Sequence, residues 1–355
     1  MENIVVEAIN PIVRVSGVRG KVNLFFIQNP QVNAFTPGGN DIFIYTGLIA
    51  KFHDVDVIKG VLAHELGHVV GHHVARMEMD IANQQKAALG GIAIGLATAI
   101  ASGNPGALIA GAAGGSDVAT TNILKYSRAF ESSADQAAFQ SLEKSGNSAI
   151  GMKEMFDTFI ADERAARPDP YAQTHPLGSE RIQALSDFMS RSKYKHSTSS
   201  PSLEARYKRM SYKIFAFTES PEYVLKEVAR VKNTEIASYM KAVAYMRQGQ
   251  QKEALANIDP LLAHHSEDPY YNELKGQILF EFGKPESLTY FTKASSLLPN
   301  DTLLKMNVVV AALNVHRNNP SALEKYIPYI KFVQNKEQES PAPYYYLSLY
   351  YEALG

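Results

Sequence analysis

Four histidines and a glutamate lie close together in the segment GVLAHELGHVVGHHVARM, residues 60–77. On a helix, residues four positions apart project from the same face, so His64 and His68 would place two imidazoles side by side. Glu65 lies between them, and H-E-x-x-H is typical of sites where two imidazoles bind zinc and the glutamate contacts the metal-bound water. We therefore predict that His64 and His68 are zinc ligands and that Glu65 is catalytic. The alternative is a chance match on an ordinary histidine-rich helix.

Two protein ligands are too few for a catalytic zinc ion, which usually has three and keeps one position for water. One known scheme takes a third histidine six residues after the second, but Val74 occupies that position. His72 lies four residues after His68, yet a rigid helix cannot wrap three successive turns around one ion. We therefore interpret His72 and His73 as bystanders.

A third ligand is available in a second segment with a helical pattern, YSRAFESSADQAAFQSL at residues 126–142. Glu131 and Asp135 are four positions apart and would share a face of that helix. Glu131 would complete the coordination sphere, and Asp135 would accept a hydrogen bond from the distal nitrogen of a zinc-bound histidine. The alternative is that both carboxylates are ordinary surface groups.

The chain resembles the M48 family of zinc metallopeptidases in four motifs that occur in the family's order. They are N-A-F-T-P-G-G at 33–39, H-E-L-G-H at 64–68, S-R-A-F-E-S-S-A-D at 127–135 and T-H-P-L-G-S-E-R-I at 174–182. The resemblance implies an α+β fold, a mostly helical gluzincin-type domain with a small β-sheet. It also implies one Zn²⁺ per chain, Glu131 as the third ligand, and endopeptidase activity on protein or peptide substrates.

The T-H-P motif supplies a further candidate, His175, in the segment Pro168–Pro176. A tetrahedral oxyanion needs a hydrogen-bond donor, and His175 is our candidate for that role. By resemblance, this histidine can instead bind the metal as a fourth ligand and so make the enzyme self-inhibited. Arg181 would orient His175 or the substrate. The alternative is that His175 is an ordinary surface histidine.

Two runs with the pattern of strands, Val22–Ile27 and Asp41–Thr46, precede the H-E-x-x-H motif. We expect Asp41–Thr46 and the preceding residues, including Asn33, Ala34 and Phe35, to lie along the substrate cleft. In zincins generally, an edge strand receives the substrate backbone as an added strand. Such binding depends more on extended shape than on sequence, and it suits unfolded or misassembled proteins.

The composition of the 355-residue chain limits the kinds of function that the protein can have. The formal net charge is −1, so nothing indicates nucleic-acid binding, and the absence of cysteine leaves histidine and carboxylate as the metal ligands. The opening MENIVVEAINPIV contains no recognisable signal peptide. We expect a periplasmic protein whose export signal is absent from this sequence, and a cytoplasmic protein remains the alternative.

Beyond the predicted metallopeptidase domain at 1–190, the polar segment 191–202 has the composition of a linker. Residues 203–355 have an all-helical pattern in which small and bulky residues recur with a spacing of 34, as at Gly249 and Gly283. This period resembles the tetratricopeptide repeat, a helix pair that stacks into a peptide-binding solenoid. We expect the last repeat to be incomplete in this sequence, and a generic helical bundle is the alternative.

An uncharged segment at 87–116 combines two short apolar runs that SGNPG separates. Each run is shorter than the roughly 20 residues of a membrane span. We interpret the segment as a helical hairpin that packs on the protein as a lid. Peripheral contact with a bilayer and a true membrane span are the alternatives.

The leading hypothesis is thus a zinc endopeptidase whose repeats dock substrates or a protein partner. By resemblance to periplasmic M48 proteases with such repeats, that partner would be outer-membrane assembly machinery. A competing hypothesis is a tetratricopeptide chaperone or scaffold with a structural or latent metal site, although a structural site has no need of Glu65. A membrane-integral M48 enzyme is a further alternative.

Overall fold

The computed structural model of the chain describes residues 2–79, 82, 128–165, 171, 175–317 and 319–354. The chain divides into two compact units, Met1–Phe215 and Ala216–Gly355. The predicted apolar hairpin at 87–116 lies outside the described residues. Within the described part of the chain, we find no helix that is both long and apolar enough to cross a bilayer.

The first unit combines helices with three short strands. In chain order its described elements are α1 (Glu2–Ser16), β1 (Asn23–Ile27), β2 (Ala34–Phe35), β3 (Asp41–Tyr45), α2 (Thr46–Lys51), α3 (Val55–Gly71), α4 (residues 73–79), α5 (residues 128–144), α6 (Ile150–Arg164), α7 (Ser179–Arg191) and α8 (Pro201–Thr218). The boundary between the two units falls within α8.

Helix α3 carries the H-E-x-x-H motif through the centre of the first unit. Asp54 caps its start, because the Asp54 side chain accepts a hydrogen bond from the backbone N–H of Asp56 at 2.7 Å. Every residue from Val55 to Val69 is buried, as expected of a helix that is apolar on all sides. Each fully buried aliphatic side chain contributes about 1.5–3 kcal/mol of stability, so the motif lies on a rigid support.

The three strands form one sheet in the order β1-β3-β2. Strand β1 runs parallel to β3, with Asn23 opposite Asp41, and β2 runs antiparallel to β3, with Ala34 opposite Ile44. The two predicted strands are therefore present, each within one residue of its expected ends. Strand β3 is paired on both sides, so β2 rather than β3 forms the edge of the sheet on this side.

Among the described elements, α1, α6 and β2 pack against α3, and α5 approaches it at Gly67. The apolar face of α1 that enters this core includes Val5, Ile9 and Ile12. Apolar spacing of this kind is what an amphipathic helix on a core requires.

The polar segment at 191–202 differs from a free linker. The backbone N–H of Ser199 donates to Asp56 at 3.1 Å, and Lys59 donates to the Ser199 hydroxyl at 2.6 Å. Leu203 and Tyr207 then join the core of the first unit. The unit boundary consequently lies between Phe215 and Ala216, later than the sequence indicated. Composition alone did not predict these contacts, because it does not reveal which serines find partners on α3.

In its described residues, the second unit consists of helices joined by turns and short irregular segments. Its elements are α9 (Pro221–Glu227), a 3-10 turn (Val228–Arg230), α10 (Thr234–Arg247), α11 (Gln251–His264), α12 (Pro269–Glu281), α13 (Ser287–Leu297), α14 (Thr302–Val315), a second 3-10 turn (Pro320–Tyr326), α15 (Ile327–Lys336) and α16 (Ala342–Leu354). From α10 to α16, each α-helix packs against the next one along the chain.

Capping residues mark the beginnings and ends of several of these helices. Asn233, Asp268 and Asp301 cap α10, α12 and α14 with side-chain hydrogen bonds to backbone N–H groups. Gly249 and Gly283 follow α10 and α12 with φ of 74° and 65°, a conformation that favours glycine. The predicted fold class, a mostly helical α+β domain followed by an all-helical region, is confirmed. The tetratricopeptide assignment stays a prediction.

Candidate metal centre

Four side chains from three parts of the first unit offer ligand atoms at one point. They are His64 and His68 on α3, Glu131 on α5 and His175 just before α7, and their ligand atoms all lie within 4.8 Å of one another. All four residues are buried. Burial of a carboxylate among three imidazoles is costly unless the groups bind one another or an ion.

The distances between these atoms fit a metal ion. His64 Nε2 lies 3.1 Å from His68 Nε2 and 3.3 Å from His175 Nδ1. Glu131 Oε2 lies 3.3 Å from His64 Nε2, and Glu131 Oε1 lies 3.3 Å from His68 Nε2. Bonds of ~2.0–2.1 Å around a tetrahedral zinc ion place neighbouring ligand atoms about 3.3 Å apart. The donor set and its spacing therefore suit zinc.

A chain of hydrogen bonds orients the first histidine. The Nδ1 of His64 lies 2.8 Å from Asp135 Oδ1. With an N–H held at that nitrogen, Nε2, the atom that faces the cluster, is the one whose lone pair can bind a cation once a proton there is displaced. Arg181 holds the carboxylate in turn, since its Nε donates to Asp135 Oδ2 at 2.6 Å and its Nη2 donates to Oδ1 at 2.9 Å.

Arg181 also links the other groups of the site. Its Nη1 lies 2.9 Å from Glu131 Oε2 and donates to the backbone carbonyls of His175 at 3.2 Å and Pro176 at 3.1 Å. One guanidinium thus compensates two buried carboxylates and anchors the backbone on which His175 lies. From the sequence, Arg181 was assigned only to His175 or the substrate, and its contact with Asp135 was missed.

The electrostatics of the site follow from this network. Burial opposes the charged form of His64, but hydrogen bonds to Asp135 and Glu131 outweigh it and raise the pKa of His64 to about 9. Burial would raise the pKa of Glu131, yet hydrogen bonds with His175, His64 and His68 hold that pKa well below its usual range. Glu131 is therefore a carboxylate, the form that binds a cation.

Glu65 lies beside the cluster rather than in it. Its Oε1 is 3.6 Å from His175 Nε2 and accepts a hydrogen bond from the Tyr171 hydroxyl at 3.2 Å. Its Oε2 is buried and has no hydrogen-bond partner within the described residues. Tyr171 was not singled out from the sequence, because nothing in its spacing from Glu65 indicates the contact.

A match to a known protein family shows which family the chain belongs to. Residues 2–189 match the model of peptidase family M48. The chain belongs to peptidase family M48. All four residues of the metal centre lie within the matched segment.

Three similar proteins cover different parts of this M48 chain. The Beta-barrel assembly-enhancing protease of Escherichia coli K12 is 23% identical over 305 residues, which are 84% of this chain and 62% of the relative. Metalloprotease YcaL of the same organism is 32% identical over 167 residues, 47% of this chain and 61% of the relative. Mitochondrial metalloendopeptidase OMA1 of Schizosaccharomyces pombe is 25% identical over 206 residues, 53% of each chain. The chain thus spans less than two thirds of the length of each.

The other two histidines of the M48 motif segment have different environments. His72 is exposed and adopts a left-handed conformation, with φ of 51°. Although His72 follows His68 by four residues, it is not among the side chains that converge at the centre, because α3 ends one residue earlier. His73 is buried and stacks on Phe130, with ring centroids 4.7 Å apart and an interplanar angle of 17°.

The residues expected to contact substrate lie in and next to the edge strand β2. Ala34 and Phe35 form β2, and the backbone carbonyl of Asn33 accepts a hydrogen bond from Tyr45 at 3.0 Å. Strand β2 packs against α3, which places this M48 edge strand beside the helix that carries the motif. Its side away from β3 bears no described strand.

Proposed function

We propose that the protein is a zinc-dependent endopeptidase that cleaves protein chains. The observation that carries the proposal is the convergence of His64, His68 and Glu131, from two helices, on one point beside the buried carboxylate of Glu65. Membership of peptidase family M48 supports it. The relatives' printed names, which are those of proteases and metalloendopeptidases, support it further.

In this proposal His64 Nε2, His68 Nε2 and a Glu131 oxygen hold the zinc ion. Zinc acts as a Lewis acid that makes water a better nucleophile near neutral pH and polarises a carbonyl group. Glu65 Oε2, which has no hydrogen-bond partner among the described residues, is available to take a proton from the attacking water. Glu65 then gives that proton to the leaving amine. Asp135 and Arg181 keep His64 in the tautomer that leaves Nε2 free.

The position of His175 determines whether the proposed site is closed or has a position open for water. Its Nδ1 lies 3.1 Å from Glu131 Oε1, among the ligand atoms, so we assign it as a fourth ligand in the resting protein. Four protein ligands fill a tetrahedral ion and leave no position for water. Activity would then require His175 to move away, and in its second position it would donate a hydrogen bond to the oxyanion.

For substrates, we propose extended segments of unfolded or misassembled proteins. The free side of β2 offers backbone groups to which such a segment can add as a strand. The helical second unit is proposed to be a tetratricopeptide array that docks substrates or a partner. The printed name of the similar Escherichia coli protein, Beta-barrel assembly-enhancing protease, supports a link to the assembly of β-barrels. On that basis we propose outer-membrane assembly machinery as the partner and the periplasm as the location.

The competing function is a chaperone or scaffold with a structural or latent metal site. The four-ligand arrangement favours it, because structural zinc sites are closed. The burial of Glu65 disfavours a structural site, because its Oε2 has no hydrogen-bond partner within the described residues. A buried carboxylate oxygen without a partner reduces stability, and a purely structural site would gain nothing from it.

The experiment that separates the two compares wild-type protein with Glu65→Gln in zinc content and in cleavage of casein. A peptidase retains zinc in the variant and loses cleavage by at least ~100-fold, since general bases contribute about 10²–10⁴-fold. Asp187→Asn, on the exposed face of α7, is a matched carboxylate-to-amide control and should cleave normally. Equal cleavage by Glu65→Gln and wild type would show that Glu65 is not the base.

A further inference from the structure

His73 reaches the metal centre through a turn of the backbone. Had α3 continued, a residue five positions after His68 would project from another side of the helix. Instead the helix ends at Gly71 and His72 takes the left-handed conformation, which returns His73 towards the motif. The Nδ1 of His73 consequently lies 3.1 Å from the Nδ1 of His68, with the two rings at 87°.

Only one proton can occupy the space between these two Nδ1 atoms. If His73 donates it, a neutral His68 carries its own proton on Nε2, the atom that faces Glu131. If His68 donates it, the lone pair of His68 remains on Nε2 and can bind a cation. Metal binding by His68 therefore requires His73 to be the acceptor.

Two contacts fix the ring of His73 in that position. It stacks on Phe130, which precedes the ligand Glu131. It also lies over Gly71, where an added Cβ would be 2.1 Å from His73 Nε2. This Nε2 is buried and has no hydrogen-bond partner within the described residues, so the hydrogen bond to His68 is the polar contact that the structure gives the ring.

We propose that His73 is a positioning residue that accepts the Nδ1–H of His68 and thereby holds His68 in its metal-binding tautomer. It serves His68 as Asp135 serves His64, with a neutral imidazole in place of a carboxylate. Hydrogen-bond partners behind metal-bound histidines typically change metal affinity by about 10–100-fold when they are removed. The inference rests on the proposed zinc site and adds His73 to the residues that determine its affinity.

The test uses two substitutions of His73 in the full chain. His73→Phe keeps the ring and its stacking on Phe130 but lacks an acceptor. His73→Asn loses the ring yet carries an oxygen on Cγ, where the imidazole carries Nδ1. His72→Asn is the matched control, since asparagine tolerates the left-handed conformation of that exposed residue. If His73→Phe does not fold, His73→Leu, which also lacks an acceptor, replaces it.

The measurements are Zn²⁺ affinity by competition with a chromophoric chelator, the absorption spectrum of the Co²⁺-loaded protein, and thermal unfolding without metal. We expect His73→Phe to bind Zn²⁺ about 10–100-fold more weakly and to change the Co²⁺ bands. His73→Asn should recover most of the affinity, and His72→Asn should match wild type.

Two outcomes overturn the inference and leave the proposed function standing. One is wild-type Zn²⁺ affinity in His73→Phe, and the other is an equal loss in His73→Phe and His73→Asn, which indicates packing alone. If the wild-type chain binds no Zn²⁺ at all, the proposed function and this inference fall together.

Discussion

Gly67 and Ala134 bring the two ligand-bearing helices into backbone contact. A Cβ added at Gly67 would lie 2.5 Å from the carbonyl oxygen of Ala134 and 2.7 Å from its Cα. Real Cβ atoms do not approach backbone so closely, so a side chain at this position would force the helices apart. The contact explains how Glu131, three residues before Ala134, reaches the two histidines of α3.

Gly67→Ala should therefore weaken both the fold and the metal site. We expect a loss of about 1–3 kcal/mol in the free energy of unfolding, as for other overpacked cores, together with weaker Zn²⁺ binding. Gly178→Ala is the control, because a Cβ at Gly178 meets no atom within 4 Å. Urea unfolding and chelator competition measure the two effects. Equal values for the two variants would contradict the close approach of α3 and α5.

Substitution of Arg181 tests the charge balance of the site. Arg181→Met leaves the buried carboxylates of Asp135 and Glu131 without their guanidinium, and removal of one partner from a buried ion pair costs about 3–5 kcal/mol. Arg181→Lys should lose less, although a lysine cannot make the two-pronged contact with Asp135. Because Zn²⁺ would compensate Glu131, we expect the loss to be larger in metal-free protein. A loss that is the same with and without Zn²⁺ would argue against a shared cluster.

His175→Ala tests whether the resting site is closed. Removal of the fourth ligand should open a position for water and raise the basal cleavage of casein, while Zn²⁺ remains bound by His64, His68 and Glu131. The measurement is the initial rate of cleavage in zinc-loaded protein. A simple loss of activity would instead assign His175 to the oxyanion alone.

The stability of the first unit should depend on pH through His53, which lies away from the metal centre. The Nδ1 of His53 is 2.9 Å from the Ser211 hydroxyl, and its ring stacks on Tyr212. Burial, with a smaller effect of Lys208, lowers the pKa of His53 from 6.5 to about 4. Between these values the unfolded chain binds a proton that the folded protein excludes, so stability falls as pH drops from 6.5 to 4.

The expected size is at most about 3.4 kcal/mol, since one pKa unit corresponds to ~1.36 kcal/mol. His53→Asn keeps a polar atom on Cγ and does not titrate, so its unfolding free energy should vary less over this range. Subtraction of the two pH profiles removes the contribution of the other histidines. Parallel profiles for wild type and His53→Asn would show that His53 titrates normally.

The sequence was informative where residues of the site lie a few positions apart on the same helix. Two histidines four positions apart on a helix must share a face, and the same holds for Glu131 and Asp135. The structure brings these four side chains together at a single site. Burial of α3 could also be predicted, because apolar residues occupy all of its sides.

The sequence was uninformative where the backbone departs from a regular element or a contact crosses between elements. His72 is in the left-handed conformation without being glycine, and this single turn determines where His73 lies. The contacts of Arg181 with Asp135 and of Tyr171 with Glu65 join residues far apart along the chain. No spacing rule predicts such pairs, since they depend on how separate segments of the first unit pack together.

The most direct test of the proposed metal centre is anomalous diffraction on both sides of the zinc absorption edge, from crystals of the full chain grown with Zn²⁺. We predict one anomalous peak, at ~2.0–2.1 Å from His64 Nε2, His68 Nε2 and an oxygen of Glu131. The absence of a peak at these three side chains, or a peak bound to other residues alone, would contradict the zinc centre and the peptidase function proposed from it.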